Sequence, residues 1–143
     1  MGISMPTFKS RPITLIYDIP NSKTLQFWDG LKEGKIYTTK CKKCGKVTFP
    51  PVADCSNCFS SEMEWFELVG EAEIEAFTHI IIRPASFKQE KPYTVVIGRL
   101  KGGIKILTWL KGAKLSAVRV GMTVKLVVRP NSEGEPIYMF VPT

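Results

Sequence analysis

Cys41-Lys42-Lys43-Cys44-Gly45-Lys46-Val47-Thr48-Phe49-Pro50-Pro51-Val52-Ala53-Asp54-Cys55-Ser56-Asn57-Cys58 holds all four cysteines of the chain, as two Cys-x-x-Cys pairs separated by ten residues. Two residues between paired thiolates let one turn of backbone supply two ligands. Gly45 follows the first pair, where the chain must bend sharply and favours a positive φ that glycine adopts without steric cost. Phe59 stands at the matching place after the second pair, a departure that predicts a looser second turn. The segment between, with Pro50-Pro51, can fold back and bring the two pairs together. Four soft ligands complete a tetrahedral Zn²⁺ and leave no position for water, so the expected cofactor is structural Zn²⁺ held by Cys41, Cys44, Cys55 and Cys58. Iron fits the same thiolates and would imply electron transfer. A redox pair needs only one Cys-x-x-Cys, and two disulfides are disfavoured inside a cell. The spacing speaks for a metal, and says little about function.

On the N-terminal side, residues 22–33 read as a short helix, capped by Asn21 or Ser22 and ended by Gly34. Leu25, Trp28 and Leu31 fall on one face with Phe27 beside them, so this face is expected to pack on the rest of the protein. Phe27 and Trp28 are also candidates for docking a partner. Residues 35–40 read as a strand leading into the first cysteine pair.

On the C-terminal side the pattern turns to strands. Residues 73–83 alternate, with Ile74, Ala76, Thr78, Ile80 and Ile82 on one face and Glu75, Phe77, His79, Ile81 and Arg83 on the other. Further strands are expected at 93–100, 104–110, 122–129 and 137–141. Lys101-Gly102-Gly103 makes a hairpin turn, and residues 111–119 form a connector with one helical turn. Three strands, a connector and two strands is the order of an OB-type barrel, with an open sandwich as the alternative. The fold class expected is mainly β: an N-terminal helical segment (1–36), a zinc ribbon (37–67) and a five-stranded OB-fold (68–143).

The chain has 143 residues, 44% hydrophobic and 23% charged, which fits one ordinary globular domain. Its apolar runs are too short to span a bilayer, residues 1–10 lack the apolar core of a secretory signal, and Pro6 stands where a myristoylation site needs Ser or Thr. A cytoplasmic protein without membrane attachment is expected. The formal charge is +7, which suits a phosphate-bearing ligand as well as a solvated surface. The charge is also unevenly distributed. Six glutamates between Glu62 and Glu75 have no base among them, whereas the run from Arg99 to Arg129 contains no acid. An organised basic surface on the C-terminal part follows as an expectation.

No catalytic constellation stands out. His79 is the only histidine, without a nucleophile motif beside it, and no glycine-rich phosphate loop is present. A basic barrel can bind nucleic acid, but Tyr93, Trp109 and Phe77 make a thin stacking platform. The same groove could hold the phosphates of coenzyme A.

The order of motifs resembles one known family. Phe27-Trp28-Asp29-Gly30-Leu31-Lys32-Glu33-Gly34-Lys35, the first cysteine pair with Gly45, Phe49-Pro50-Pro51 and the second pair are similar to the DUF35 family. So are Glu64-Trp65-Phe66-Glu67-Leu68-Val69-Gly70-Glu71-Ala72 and Gly121-Met122-Thr123-Val124, so that the likeness runs from about Thr24 to Val141. The resemblance implies a rubredoxin-like zinc ribbon joined to an OB-fold, with zinc ligands at Cys41, Cys44, Cys55 and Cys58. It also implies a non-catalytic companion that binds acyl-CoA and associates with a thiolase-type enzyme, and with hydroxymethylglutaryl-CoA synthase of the mevalonate pathway. On that footing Phe77, His79 and Ile81 join Phe27 and Trp28 as partner-contact candidates. Arg83, Arg99, Lys101 and Lys105 are the candidates for phosphate contact. Nucleic-acid binding by a zinc-ribbon/OB-fold protein is the competing reading.

Overall fold

The computed structural model describes residues 7, 9, 10, 15, 18, 20 and 22–143; Asn21, one of the two expected helix caps, lies outside the described residues. Helix α1 spans Leu25–Lys32, and Phe27 N–H donates to the Thr24 carbonyl at 3.0 Å in its first turn. It stops as the sequence requires. Gly34 takes φ 78°, its N–H reaches the Leu31 carbonyl, and Lys35 N–H reaches the Gly30 carbonyl at 2.8 Å. Together these bonds satisfy the last helical carbonyls through a left-handed glycine. The buried face differs from the expected one. Phe27 and Leu31 are buried, while Leu25 and Trp28 are about half exposed. Gly30 sits on the buried side because the following strand comes so close: a Cβ there would lie 2.4 Å from Tyr37 Cδ2.

The strand into the first cysteine pair is β1 (Tyr37–Cys41), flanked by β2 (Val47–Thr48) and β3 (Met63–Glu67) in a three-stranded antiparallel sheet of order β2-β1-β3. Thr38 and Thr39 are buried in it, and both hydroxyls find partners. Thr38 donates to the Thr48 carbonyl; Thr39 donates to the Val52 carbonyl and accepts from Val52 N–H at 3.0 Å. The loop between the cysteine pairs is thereby tied to the strand it leaves.

The remaining strands are β4 (Glu71–Ile80), β5 (Tyr93–Leu100), β6 (Lys105–Leu110), β7 (Thr123–Pro130) and β8 (Pro136–Pro142). They close into a barrel of order β4-β5-β6-β8-β7, with one turn of 3₁₀-helix at Leu115–Ala117 in the connector. Closure leaves no long open edge. The β6–β8 seam is parallel and narrow, made by Leu110 opposite Phe140 and by Lys111 N–H on the Phe140 carbonyl. Ile74, Val96, Ile106, Val124 and Phe140 are completely buried inside. A Cβ on Gly98 would come within 2.6 Å of Phe140 Cζ, so glycine leaves room for that ring.

The strand β4 departs from simple alternation. Its register against β5 shifts between Ile74 and Ala76. Ala72 and Ile74 point into the barrel opposite Leu100 and Gly98; beyond the shift Phe77 and His79 come opposite Val96 and Thr94. The irregularity reverses the facing of every later residue, as one extra residue must in a structure of period two. Ala76 and Thr78 consequently lie on the outer face.

The ribbon and the barrel share one core. Phe27, Leu31 and Ile36 belong to the same buried cluster as the barrel interior. Phe49, from the loop between the cysteine pairs, packs edge-on against Tyr138 of β8 at 5.0 Å, and Phe27 meets both rings at 6.0 and 6.1 Å. Edge-to-face contacts of this kind add to the area they bury.

Candidate metal centre and contact surfaces

The two cysteine turns repeat each other bond for bond. Cys41 N–H reaches the Lys46 carbonyl and Gly45 N–H the Cys41 carbonyl; Cys55 N–H reaches the Ser60 carbonyl and Phe59 N–H the Cys55 carbonyl, all at 2.9 Å. Gly45 has φ 75° and Phe59 has φ 56°. The expected loosening at Phe59 is therefore absent. The turn keeps its shape, and the strain falls on the phenylalanine, which is 84% exposed.

The ligand atoms of Cys41, Cys44, Cys55 and Cys58 all lie within 4.8 Å of one another, with Cys41–Cys58 and Cys44–Cys55 sulfur separations of 3.5 Å. Sulfurs about 2.3 Å from a central tetrahedral ion would be about 3.8 Å apart, whereas a disulfide needs about 2.05 Å. The four thiols are thus gathered as a tetrahedral metal site requires. The backbone prepares them unequally. The Lys46 N–H, then Asn57, hold the Cys44 thiol down at about 6. The N–H groups of Cys58 and Asn57 lower Cys55. The Ser60 N–H also favours a Cys58 thiolate, but burial and the three neighbouring sulfurs outweigh it and push that thiol up to about 11. A cation among them would stabilise all four as thiolates.

Part of the charge asymmetry of the sequence is resolved within the barrel, at Arg99 and Lys105. Glu75 accepts from Arg99 Nε at 2.7 Å and Lys105 Nζ at 2.8 Å, and Arg99 also approaches Glu73 at 3.9 Å. Lys105 first, then Arg99, draw the Glu75 carboxyl below the usual range. Arg99 and Lys101 line a cavity of about 240 Å³ together with Glu71 and Glu73, so that wall carries both signs of charge. Arg83 lies past the far end of β4, with Nη1 on the Ile81 carbonyl at 3.3 Å. The paired strands between separate it from Arg99 by about 20 Å. The four candidates for phosphate contact form two groups, not one.

Among the partner-contact candidates, Phe27 is 4% exposed and anchors the helix, whereas its neighbour Trp28 is 48% exposed. Phe77 and Ile81 are accessible; the His79 ring meets the Thr94 hydroxyl through Nδ1 at 3.0 Å. Two apolar faces on β5 and β6 imply an outer apolar surface covered by the helix, the ribbon or a partner, and there the structure forms a groove of about 210 Å³ with Ala76, Thr78, Val95, Ile97 and the exposed Leu107 in its lining. What the sequence did not give was the place of Ala76 and Thr78 in it, which follows from the register shift in β4. No helix among the described residues is long and apolar enough to cross a membrane.

Comparison with known proteins agrees with this geometry. Residues 28–64 match the family description "ChsH2, rubredoxin-like zinc ribbon domain", and residues 65–129 match "ChsH2, C-terminal OB-fold domain". A DUF35 domain-containing scaffold protein of Methanocaldococcus jannaschii is 28% identical over 115 residues, covering 79% of this chain and 82% of that one. The benzoylsuccinyl-CoA thiolase subunit BbsA of Thauera aromatica is 30% identical over 104 residues, 71% of this chain and 70% of that one. Among solved structures, one named Ltp2-ChsH2(DUF35) aldolase superposes with a TM-score of 0.74 at 21% identity, over 88% of this chain and 98% of that one. A Sulfolobus solfataricus protein of the DUF35 family matches with a TM-score of 0.55 and 29% identity, over 73% and 77% of the two chains.

Proposed function

The chain belongs to the DUF35 family, and on that footing we propose that it is a non-catalytic scaffold subunit that binds acyl-CoA and associates with a thiolase-type enzyme. The observation that carries this reading is the apolar groove on the outer face of β4, β5 and β6. Its lining is apolar except for Thr78, the chemistry by which a partner's apolar side chain docks. Leu107 is 63% exposed and Ile81 66%, and Trp28 adds a second accessible anchor. That relatives are named scaffold proteins and a thiolase subunit supports a thiolase-type enzyme as the occupant. Hydroxymethylglutaryl-CoA synthase is the second partner in this reading, which places the protein in acetoacetyl-CoA and hydroxymethylglutaryl-CoA metabolism of the cytoplasm.

In this role the metal is Zn²⁺, held by Cys41, Cys44, Cys55 and Cys58. It supplies a cross-link and no chemistry, since four thiolates leave no open position. The protein's own residues do the rest: Phe27, Phe49 and Tyr138 fix the ribbon on the barrel, so that Trp28 and the groove stay in a constant relation. Arg83, Arg99, Lys101 and Lys105 remain the candidates for the ligand's phosphates. The nucleic-acid reading draws less support, because the relatives named above are scaffold proteins and a thiolase subunit.

The test is co-purification of the tagged, metal-loaded protein with the thiolase of its source organism, combined with calorimetric titration by acetyl-CoA and by a single-stranded oligonucleotide. A stable complex that Leu107→Glu disrupts, with acetyl-CoA binding, is the expected result. Oligonucleotide binding without either would overturn the reading. Acetyl-CoA affinity unchanged after all four basic residues are replaced by alanine would remove them as phosphate contacts.

A further inference from the structure

The loop after β4 and the connector after β6 rise from the same end of the barrel and enclose a cleft of about 510 Å³. One wall is aromatic. Tyr93 and Trp109 stack with ring centres 4.5 Å apart and planes 20° from parallel, and Phe87 leans on both from the loop. Lys91 and Lys111 also line the cleft, and the Lys111 ammonium lies 5.0 Å from the centre of the Trp109 ring. Among the described residues neither lysine is paired with a carboxylate. The His79–Thr94 pair lines the cleft as well and offers a donor and an acceptor. Apolar rings, two unpaired cations and a few polar edges in a space of this size are the requirements of a small ligand that is aromatic and anionic at once.

We infer that this cleft binds a single nucleotide, its base against the Tyr93–Trp109 wall and its phosphate at Lys91 and Lys111. What limits the ligand to one nucleotide lies on the other side of Trp109. A second cavity of about 330 Å³ continues there, between the same loop and the turn joining β7 to β8. Glu133 lines it, and Glu90 stands between the two cavities and lines both; the Ser132 hydroxyl, which lines only the second, donates to the Glu90 carboxylate. Barrels of this type commonly bind oligonucleotides across the face and loops concerned. Here a strand leaving the first cleft would carry its next phosphate into carboxylates, which repel it. The nucleotide cleft stands on its own geometry; that the nucleotide is the adenosine end of an acyl-CoA rests on the reading above, with Lys91 and Lys111 at its phosphate in place of Arg83, Arg99, Lys101 and Lys105.

The experiment uses the full-length, metal-loaded protein, with calorimetry and tryptophan fluorescence. The probes are adenosine 3′,5′-bisphosphate, pantetheine, acetyl-CoA and a mixed-sequence single-stranded oligonucleotide. Adenosine bisphosphate is expected to bind and quench fluorescence. The surface pair Lys91→Gln/Lys111→Gln should weaken it about tenfold or more, the order expected when charge-assisted bonds to phosphate are lost. Trp109→Leu should weaken it and remove most of the quenching. If acetyl-CoA binds but both variants retain full affinity for it and for the bisphosphate, the cleft is wrong and the acyl-CoA reading survives. If the bisphosphate binds in the cleft and acetyl-CoA does not, the cleft stands and the acyl-CoA reading fails. An oligonucleotide that binds more tightly than the bisphosphate, or no binding by any nucleotide, overturns the single-nucleotide site.

Discussion

Neighbouring residues can carry opposite consequences, and Phe27 and Trp28 show it. Phe27 is buried between Phe49 and Tyr138, so Phe27→Ala should cost about 3–5 kcal/mol in a denaturant titration. Trp28 is half exposed; Trp28→Ala should leave the unfolding midpoint nearly unchanged and weaken the proposed complex with a thiolase-type enzyme. A Trp28→Ala protein that is equally destabilised would make that side chain structural. At Phe59 the prediction has the opposite sign. A non-glycine residue at φ 56° carries about 1 kcal/mol of strain, and an exposed ring has little burial to lose. Phe59→Gly should raise the melting temperature of the metal-loaded protein by about 3 °C; a lower value would show that the ring does something the strain conceals. Glu75 gives a pH dependence. Its carboxyl is lowered by Lys105 and Arg99, so its contribution is complete above the ordinary glutamate value of about 4.3. It is lost as pH falls through the lowered folded value. Glu75→Gln should therefore flatten the acid limb of a stability-against-pH curve, and an unaltered limb would mean that the cluster is too solvated to matter.

Among the elements, the barrel depends on glycine at one point of β5. Gly98→Ala would push a methyl group to within 2.6 Å of Phe140, a fully buried ring in β8, and overpacking of this sort costs about 1–3 kcal/mol. The loss should show in equilibrium unfolding with unchanged metal content. A Gly98→Ala protein as stable as the parent would mean that the β6–β8 seam opens easily enough to absorb the methyl. The register shift in β4 works at the same scale. It turns Phe77 and His79 toward Val96 and Thr94, and leaves Ala76 and Thr78 to form the outer groove with Val95, Ile97 and Leu107. Without it both the groove and the His79–Thr94 pair would be lost.

At the scale of the whole molecule, two sheets of different origin of stability are joined by an aromatic contact. The ribbon has three short strands beside the four cysteines, where a bound metal would be its main cross-link; the barrel closes on a core that Phe27, Leu31 and Ile36 extend. Removing the ion with a chelator should abolish amide protection in β1, β2 and β3 while β5 and β6 stay protected, as hydrogen exchange would reveal. Loss of both together, in one step, would show that the Phe27–Phe49–Tyr138 contact makes ribbon and barrel a single cooperative unit.

The gathering of the four cysteines, the barrel's five strands and the stop of α1 at Gly34 were legible in the residues themselves. Each rests on local geometry: two residues between thiolates, apolar alternation bounded by turns, a glycine where φ must be positive. Local reasoning also misjudged Phe59, because the hydrogen bonds of its turn are strong enough to hold a side chain in a strained conformation. The rest needed partners distant in sequence. Which side of α1 is buried was decided by Phe49 and Tyr138, and the facing of β4 beyond Ile74 by its register on β5. Which cations remain unpaired was decided by Glu75, 24 residues from Arg99 in the chain yet bonded to it in the barrel. Burial and ion pairing are relations between elements, and only the closed barrel brings those elements together.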